Sequence, residues 1–165
     1  MKKVVGIIVC VVLLIAIIAV VNMEHNGGGS SNELIKIANP LTEVASLEEM
    51  QKYFDVQIPT LNKDVDAYIV IGIGENAEHA RIKYSDNTSF EMQLGKDEDA
   101  SGIYGGKLDR EMQLNNVDVK FFTYEGPEET INYANWSSNV ASYSYQSIGK
   151  AIDVMELSEL VENTK

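Results

Sequence analysis

Residues 68–94 read YIVIGIGENAEHARIKYSDNTSFEMQL, and two folds compete for them. Gly72, Gly74 and Ala77 come after an apolar run with the spacing Gly-x-Gly-x-x-Ala, that of a dinucleotide-binding turn. Such a turn works only where a helix comes next, because the helix N-terminus holds the pyrophosphate. Residues 78–94 instead alternate with a period of two. Ala80, Ile82 and Tyr84 fall on one face and Arg81 and Lys83 on the other. After the turn-forming SDNTS, Phe90, Met92 and Leu94 alternate with Glu91 and Gln93 in the same way. No strand–helix–strand unit fits. The spacing predicts a glycine-bearing turn between antiparallel neighbours, with no nucleotide cofactor.

The same period continues downstream. A polar, glycine-rich loop, GKDEDASGIYGG, leads to LDREMQL and VDVKFFTYE, which flank Asn115-Asn116. Asparagine tolerates positive φ, so a tight hairpin is expected there. Residues 131–147, INYANWSSNVASYSYQS, then read as two strands around Ser137-Ser138-Asn139. Ala134 and Trp136 share one face and Ile131 and Tyr133 the other, while Tyr143 and Tyr145 oppose Ser142 and Ser144. Aromatic residues suit strands for packing alone, so these rings read first as sheet and core residues. Tyr133, Trp136, Tyr143 and Tyr145 are nonetheless the candidate ligand or partner surface.

Two helices are expected. In SLEEMQKYFD, Ser46 and Glu49 form a capping box, and Leu47, Met50 and Phe54 share a face before Pro59 stops the helix. In DVMELSELVEN, Asp153 and Glu156 cap a stripe of Val154, Leu157, Leu160 and Val161. The expected fold class is α+β: a twisted antiparallel sheet of about six or seven strands, with a helix at each end packed on one face to cover it. One N-terminal transmembrane helix is expected in addition.

That segment is residues 4–21 of MKKVVGIIVCVVLLIAIIAVVNMEHN, eighteen positions without a charge. As a helix they span roughly 27 Å, close to a ~30 Å hydrocarbon layer. The run exceeds the core of a cleaved signal peptide, and Ala19-Val20-Val21 makes a poor cleavage site, so an uncleaved anchor is expected. Lys2 and Lys3 before it keep the N-terminus cytoplasmic. The division is then a cytoplasmic tip at 1–3, an anchor at 4–21, a flexible Gly/Ser linker at 22–38 and an extracytoplasmic domain at 39–165. The membrane is one expected partner, through residues 4–21, and an unidentified envelope protein is another. All 25 acidic residues and all but two of the 13 basic ones lie beyond the anchor, which disfavours nucleic acid as a partner.

Reactive constellations are not evident. The one cysteine, Cys10, sits within the apolar run, and His25 and His79 lie far apart. Asp97, Glu98 and Asp99 are consecutive and lack the alternation of a calcium loop, so no metal is expected there. No serine has a nearby base and orienting acid in the sequence. Asn87-Thr88-Ser89 and Asn135-Trp136-Ser137 are glycosylation sequons, the second inside an expected strand.

Several short motifs, in order, carry a resemblance: Asn39-Pro40, Ser46 to Glu49, Tyr84 after its charged neighbours, Asp99-Ala100-Ser101-Gly102, Ala134 to Trp136, and Tyr143-Ser144. Over residues 39–163 the chain resembles an uncharacterised extracytoplasmic domain of Gram-positive bacteria. The resemblance implies the outer part of a single-anchor membrane protein, with no catalytic residues to carry over. The function expected is therefore a membrane-tethered, non-catalytic interaction or sensor domain. A carrier of lipid or another hydrophobic ligand, using a cavity between sheet and helices, is the alternative, and an envelope hydrolase comes third.

Overall fold

The computed structural model describes residues 41–73, 76–96 and 99–164. The expected tip, anchor and linker, and with them Cys10 and His25, lie outside the described residues. Among the described residues no helix is long and apolar enough to cross a membrane.

The alternating segments form one antiparallel sheet. Its strands are β1 (Leu41–Val44), β2 (Val65–Ile73), β3 (Asn76–Tyr84), β4 (Thr88–Leu94), β5 (Lys107–Leu114), β6 (Val117–Glu125), β7 (Thr130–Ser137) and β8 (Ala141–Ile148). Their order across the sheet is β1-β2-β3-β4-β8-β7-β6-β5. Residues 65–84 make a hairpin: Gly72 faces Ala77 across β2 and β3, and a strand occupies the place where a dinucleotide site needs a helix. Asn115 and Asn116 take φ values of 52° and 66° in the two-residue turn between β5 and β6. Two helices complete the fold, α1 (Leu47–Gln51) and α2 (Val154–Glu162).

This corrects the expected α+β architecture of about six or seven strands with a covering helix at each end: the described fold is a single antiparallel sheet with two short helices. Among the described residues there are eight strands, and the described fold begins with an edge strand instead of a helix. β1 escaped the sequence pattern because three of its four residues are exposed, so no apolar alternation marks it. Helix α1 is only five residues long. Ser46 Oγ accepts from Glu49 N at its start, while Glu49 Oε2 accepts from Ala45 N. At its end Gln51 takes over the backbone, donating to the Phe54 and Val56 carbonyls and accepting from Ile58 N. Eight strands span about 34 Å, whereas the nine residues of α2 reach about 14 Å. Neither helix is a layer over such a sheet. Leu157, Leu160 and Val161 of α2 and Met50 of α1 enter the core, and Phe54, Ile58 and Leu61 of the connecting segment fill it alongside them.

The principal core lies on the face carrying Ile82, Phe90, Met92, Trp136, Tyr143 and Tyr145, all buried. Phe90, Trp136 and Tyr143 pack ring on ring, with centroids 5.6–6.3 Å apart. The opposite face is also partly closed. Residues 99–106 cross it, with Ala100 and Ser101 buried against the strands. Gly106 touches Tyr133 so closely that a Cβ there would fall 1.9 Å from the Tyr133 hydroxyl. Gly106→Ala is expected to destabilise by about 1–3 kcal/mol through overpacking. Tyr133→Phe should relieve only part of that loss, because Tyr133 Cζ would also be just 2.7 Å away. Thermal melts of the single and double variants give the check; an undiminished Tm in Gly106→Ala would contradict the contact.

Candidate functional site

Three polar constellations are built on this frame. The first lies under the 99–106 segment. Glu91, on the face away from the principal core, is only 2% exposed. Its Oε2 meets Arg81 Nη2 at 3.0 Å and His79 Nε2 at 2.9 Å, and its Oε1 accepts from Gln146 Nε2 at 3.0 Å. Arg81 Nε sits 2.9 Å from Oε1 but off the line of a hydrogen bond, so that arm is an ion contact. Gln146 Nε2 also donates to the Ser101 carbonyl, tying the crossing segment to the ion cluster. Asn135 Nδ2 adds a bond to Asp99 Oδ1 at 3.3 Å. Ser144 pairs directly with Glu91 across β4 and β8, yet its buried hydroxyl makes no hydrogen bond to Glu91 or His79. The arrangement has an acid, a base and a hydroxyl without the nucleophile–base contact that a hydrolytic triad uses.

The second constellation surrounds Lys63. Its Nζ lies 2.7 Å from Asp86 Oδ2 and 3.0 Å from Glu156, with Thr88 Oγ1 and the Tyr145 hydroxyl close by. Tyr145 donates to Glu156, and Lys150 Nζ reaches Asp86 at 2.9 Å. Burial opposes the Lys63 ammonium, but bonds to Asp86, Glu156 and Tyr145 outweigh it and raise its pKa. Burial also opposes the Asp86 carboxylate, and bonds from Lys63, Thr88 and Lys150 hold its pKa well below the ordinary carboxylate range. Tyr145 is pushed up, by burial first and then by its bond to Glu156. The cluster fastens the segment before β2, the β3–β4 turn and α2 to one another.

A pH dependence follows from the Asp86 shift. A carboxylate whose folded pKa is depressed stabilises fully above its unfolded pKa of about 3.9, and that stabilisation is lost as pH falls towards the folded value. Asp86→Asn should therefore lower Tm at neutral pH, and the gap to the natural chain should narrow below about pH 4. Melting curves from pH 7 to pH 2 test this. A gap that stays constant through the acid range would refute the assignment.

The third constellation is open to solvent. At one end of the sheet the β5–β6 and β7–β8 turns, residues 56–57 and the end of α2 surround a cleft of about 790 Å³. Gln57, Asn116, Asn139 and Asn163 converge on it from four separate segments. All four are exposed, and among the described residues none of their side chains makes a hydrogen bond. Its walls are fixed from behind. Asn115 Nδ2 donates to the Ser158 carbonyl, joining the β5–β6 turn to α2. Trp136 Nε1 donates to Thr164 Oγ1, which in turn donates to the Val161 carbonyl. Ser138 Oγ lies 3.2 Å from the Tyr143 hydroxyl.

The four aromatic residues singled out from the sequence are not brought together as one surface. Tyr143 lines the cleft, and Trp136 stacks on it from the core side with centroids 5.6 Å apart. Tyr145 belongs to the Lys63 cluster. Tyr133 lies on the opposite face, stacked on Phe122 at 4.9 Å, with its pKa raised by burial and then by Asp99. The cleft amides have no signature in the sequence beyond being polar residues at turns. Among the described residues no group of histidine, cysteine and carboxylate side chains is placed to hold a metal. No family model, curated protein or solved structure matches this chain.

Proposed function

We propose that the chain is a membrane-tethered, non-catalytic extracytoplasmic binding module that engages an envelope component through the amide-lined cleft. One observation carries this reading: four carboxamides that make no side-chain hydrogen bond among the described residues line one cleft whose walls are braced by internal hydrogen bonds. Its volume falls within the ~300–1,000 Å³ common for ligand sites. The clustered acids and bases, by contrast, are engaged with one another around Glu91 and Lys63. The tether is inferred from the uncharged run at 4–21. The resemblance to an outer domain of Gram-positive bacteria supports the same placement. A hydrophobic-ligand carrier has less support, because Phe90, Met92, Leu157 and Leu160 fill the interior. A hydrolase has less support as well, because Glu91 is fully engaged and Ser144 lacks a base.

The test uses the full-length chain in detergent micelles and an envelope preparation fixed to beads. Asn116→Gly/Asn163→Ala removes two exposed side chains without a hydrogen-bond partner among the described residues, and glycine keeps the positive φ of the Asn116 turn, so Tm should stay within about a degree. Retention should fall about 10-fold or more if each amide makes one net bond to the ligand. Unchanged retention of this double variant would overturn the reading.

A further inference from the structure

The cleft's chemistry narrows what it can hold. The protein carries a net charge of −12, yet among the described residues the cleft lining has one base, Lys96, and one acid, Asp118. Asp118 already accepts from Gln113 Nε2 at 3.0 Å. The remaining polar lining is four carboxamides with the hydroxyls of Ser137, Ser138, Thr164 and Tyr143. A carboxamide offers donor and acceptor in one plane and so matches ligand groups that do the same. Between these lie Val56, Val117 and Val140, the last 52% exposed, which suit small methyl groups. From this we infer that the cleft takes an uncharged glycan bearing acetamido groups. The inference rests on the cleft being the binding surface.

The sugar hydroxyls meet Asn, Gln and Ser groups, the acetamido N–H and C=O pair with carboxamides, and the acetamido methyl lies against valine. An extended peptide shares the amides but docks on a sheet protein by adding to a strand edge. The edge strands here are β1 and β5, and neither lines the cleft. The walls are turns, the ends of inner strands and the end of α2, and the inner strands have their backbone groups paired within the sheet.

The experiment tracks the side-chain NH2 resonances of Gln57, Asn116, Asn139 and Asn163 by NMR in the full-length ¹⁵N-labelled chain. The probes are tetra-N-acetylchitotetraose, cellotetraose (the same linkage without acetamido groups) and tetra-alanine. The acetamido glycan should shift these four signals, with binding about 10-fold weaker for cellotetraose and about 10-fold weaker in Asn116→Gly/Asn163→Ala. Shifts confined to other parts of the molecule, equal response to cellotetraose, or shifts with tetra-alanine alone would each overturn the inference. So would no shift with any probe. If retention on envelope beads still depends on the cleft while every glycan fails, the glycan assignment falls and the binding-module reading stands. If both fail, the cleft is not a binding surface.

Discussion

Arg81→Met is expected to cost about 3–5 kcal/mol, because it leaves a carboxylate buried without its cation. Glu91 cannot escape: it is 2% exposed, held between β3 and β8 beneath the 99–106 segment. His79 and Gln146 would remain as its polar neighbours. The reverse change is milder. With Glu91→Leu, the Arg81 side chain, already 30% exposed, can turn towards water. The double variant Arg81→Met/Glu91→Leu should lose less than Arg81→Met alone, since an apolar pair avoids the stranded charge. Urea unfolding of all four chains gives the coupling energy. Additive losses would show that the two residues do not form the pair. Gln146 bridges Glu91 and Ser101, so Arg81→Met should also speed amide exchange within residues 99–106.

Glu91 also marks the limit of what a sequence pattern can say. Alternation in FEMQL places Glu91 on the face away from Phe90 and Met92, and it is there. Alternation cannot say whether that face is covered. The cover comes from residues 99–106, part of a stretch that reads as a polar, glycine-rich loop, yet Ala100 and Ser101 are buried. His79, which the sequence marks only as distant from His25, turns out to bind Glu91. The strands carrying Ile82, Met92, Val119 and Tyr145 were legible because alternating apolar residues are what a half-buried strand requires. The architecture was not, since β1 carries no alternation and helix cover was assumed where connecting segments fill the space. The cleft is the extreme case. Residues 57, 116, 139 and 163 have no local pattern in common, and only the strand order brings their turns to the same end of the sheet.

Phe90→Ala tests whether the core and the cleft are one mechanical unit. Phe90 is fully buried, pairs with Ile82 and Tyr145 on the neighbouring strands, and packs within 6.3 Å of Trp136 and 6.1 Å of Tyr143. Removing the ring is expected to destabilise by about 3–5 kcal/mol from lost burial and the cavity left behind. For a domain near this size that lowers Tm by more than about 10 °C. Trp136 is the only tryptophan, so its emission should shift to the red in the folded variant as its packing loosens. The same loosening acts on Thr164, which Trp136 Nε1 holds against the cleft wall. Binding at the cleft should therefore weaken in Phe90→Ala although Phe90 does not line the cleft. Phe90→Leu keeps most of the buried volume and should cost nearer about 1–2 kcal/mol, with cleft binding retained. If Phe90→Ala melts as expected but binds as the natural chain does, the Trp136–Thr164 bond does not position the wall. If its Tm scarcely changes, the ring stack does not hold the core together.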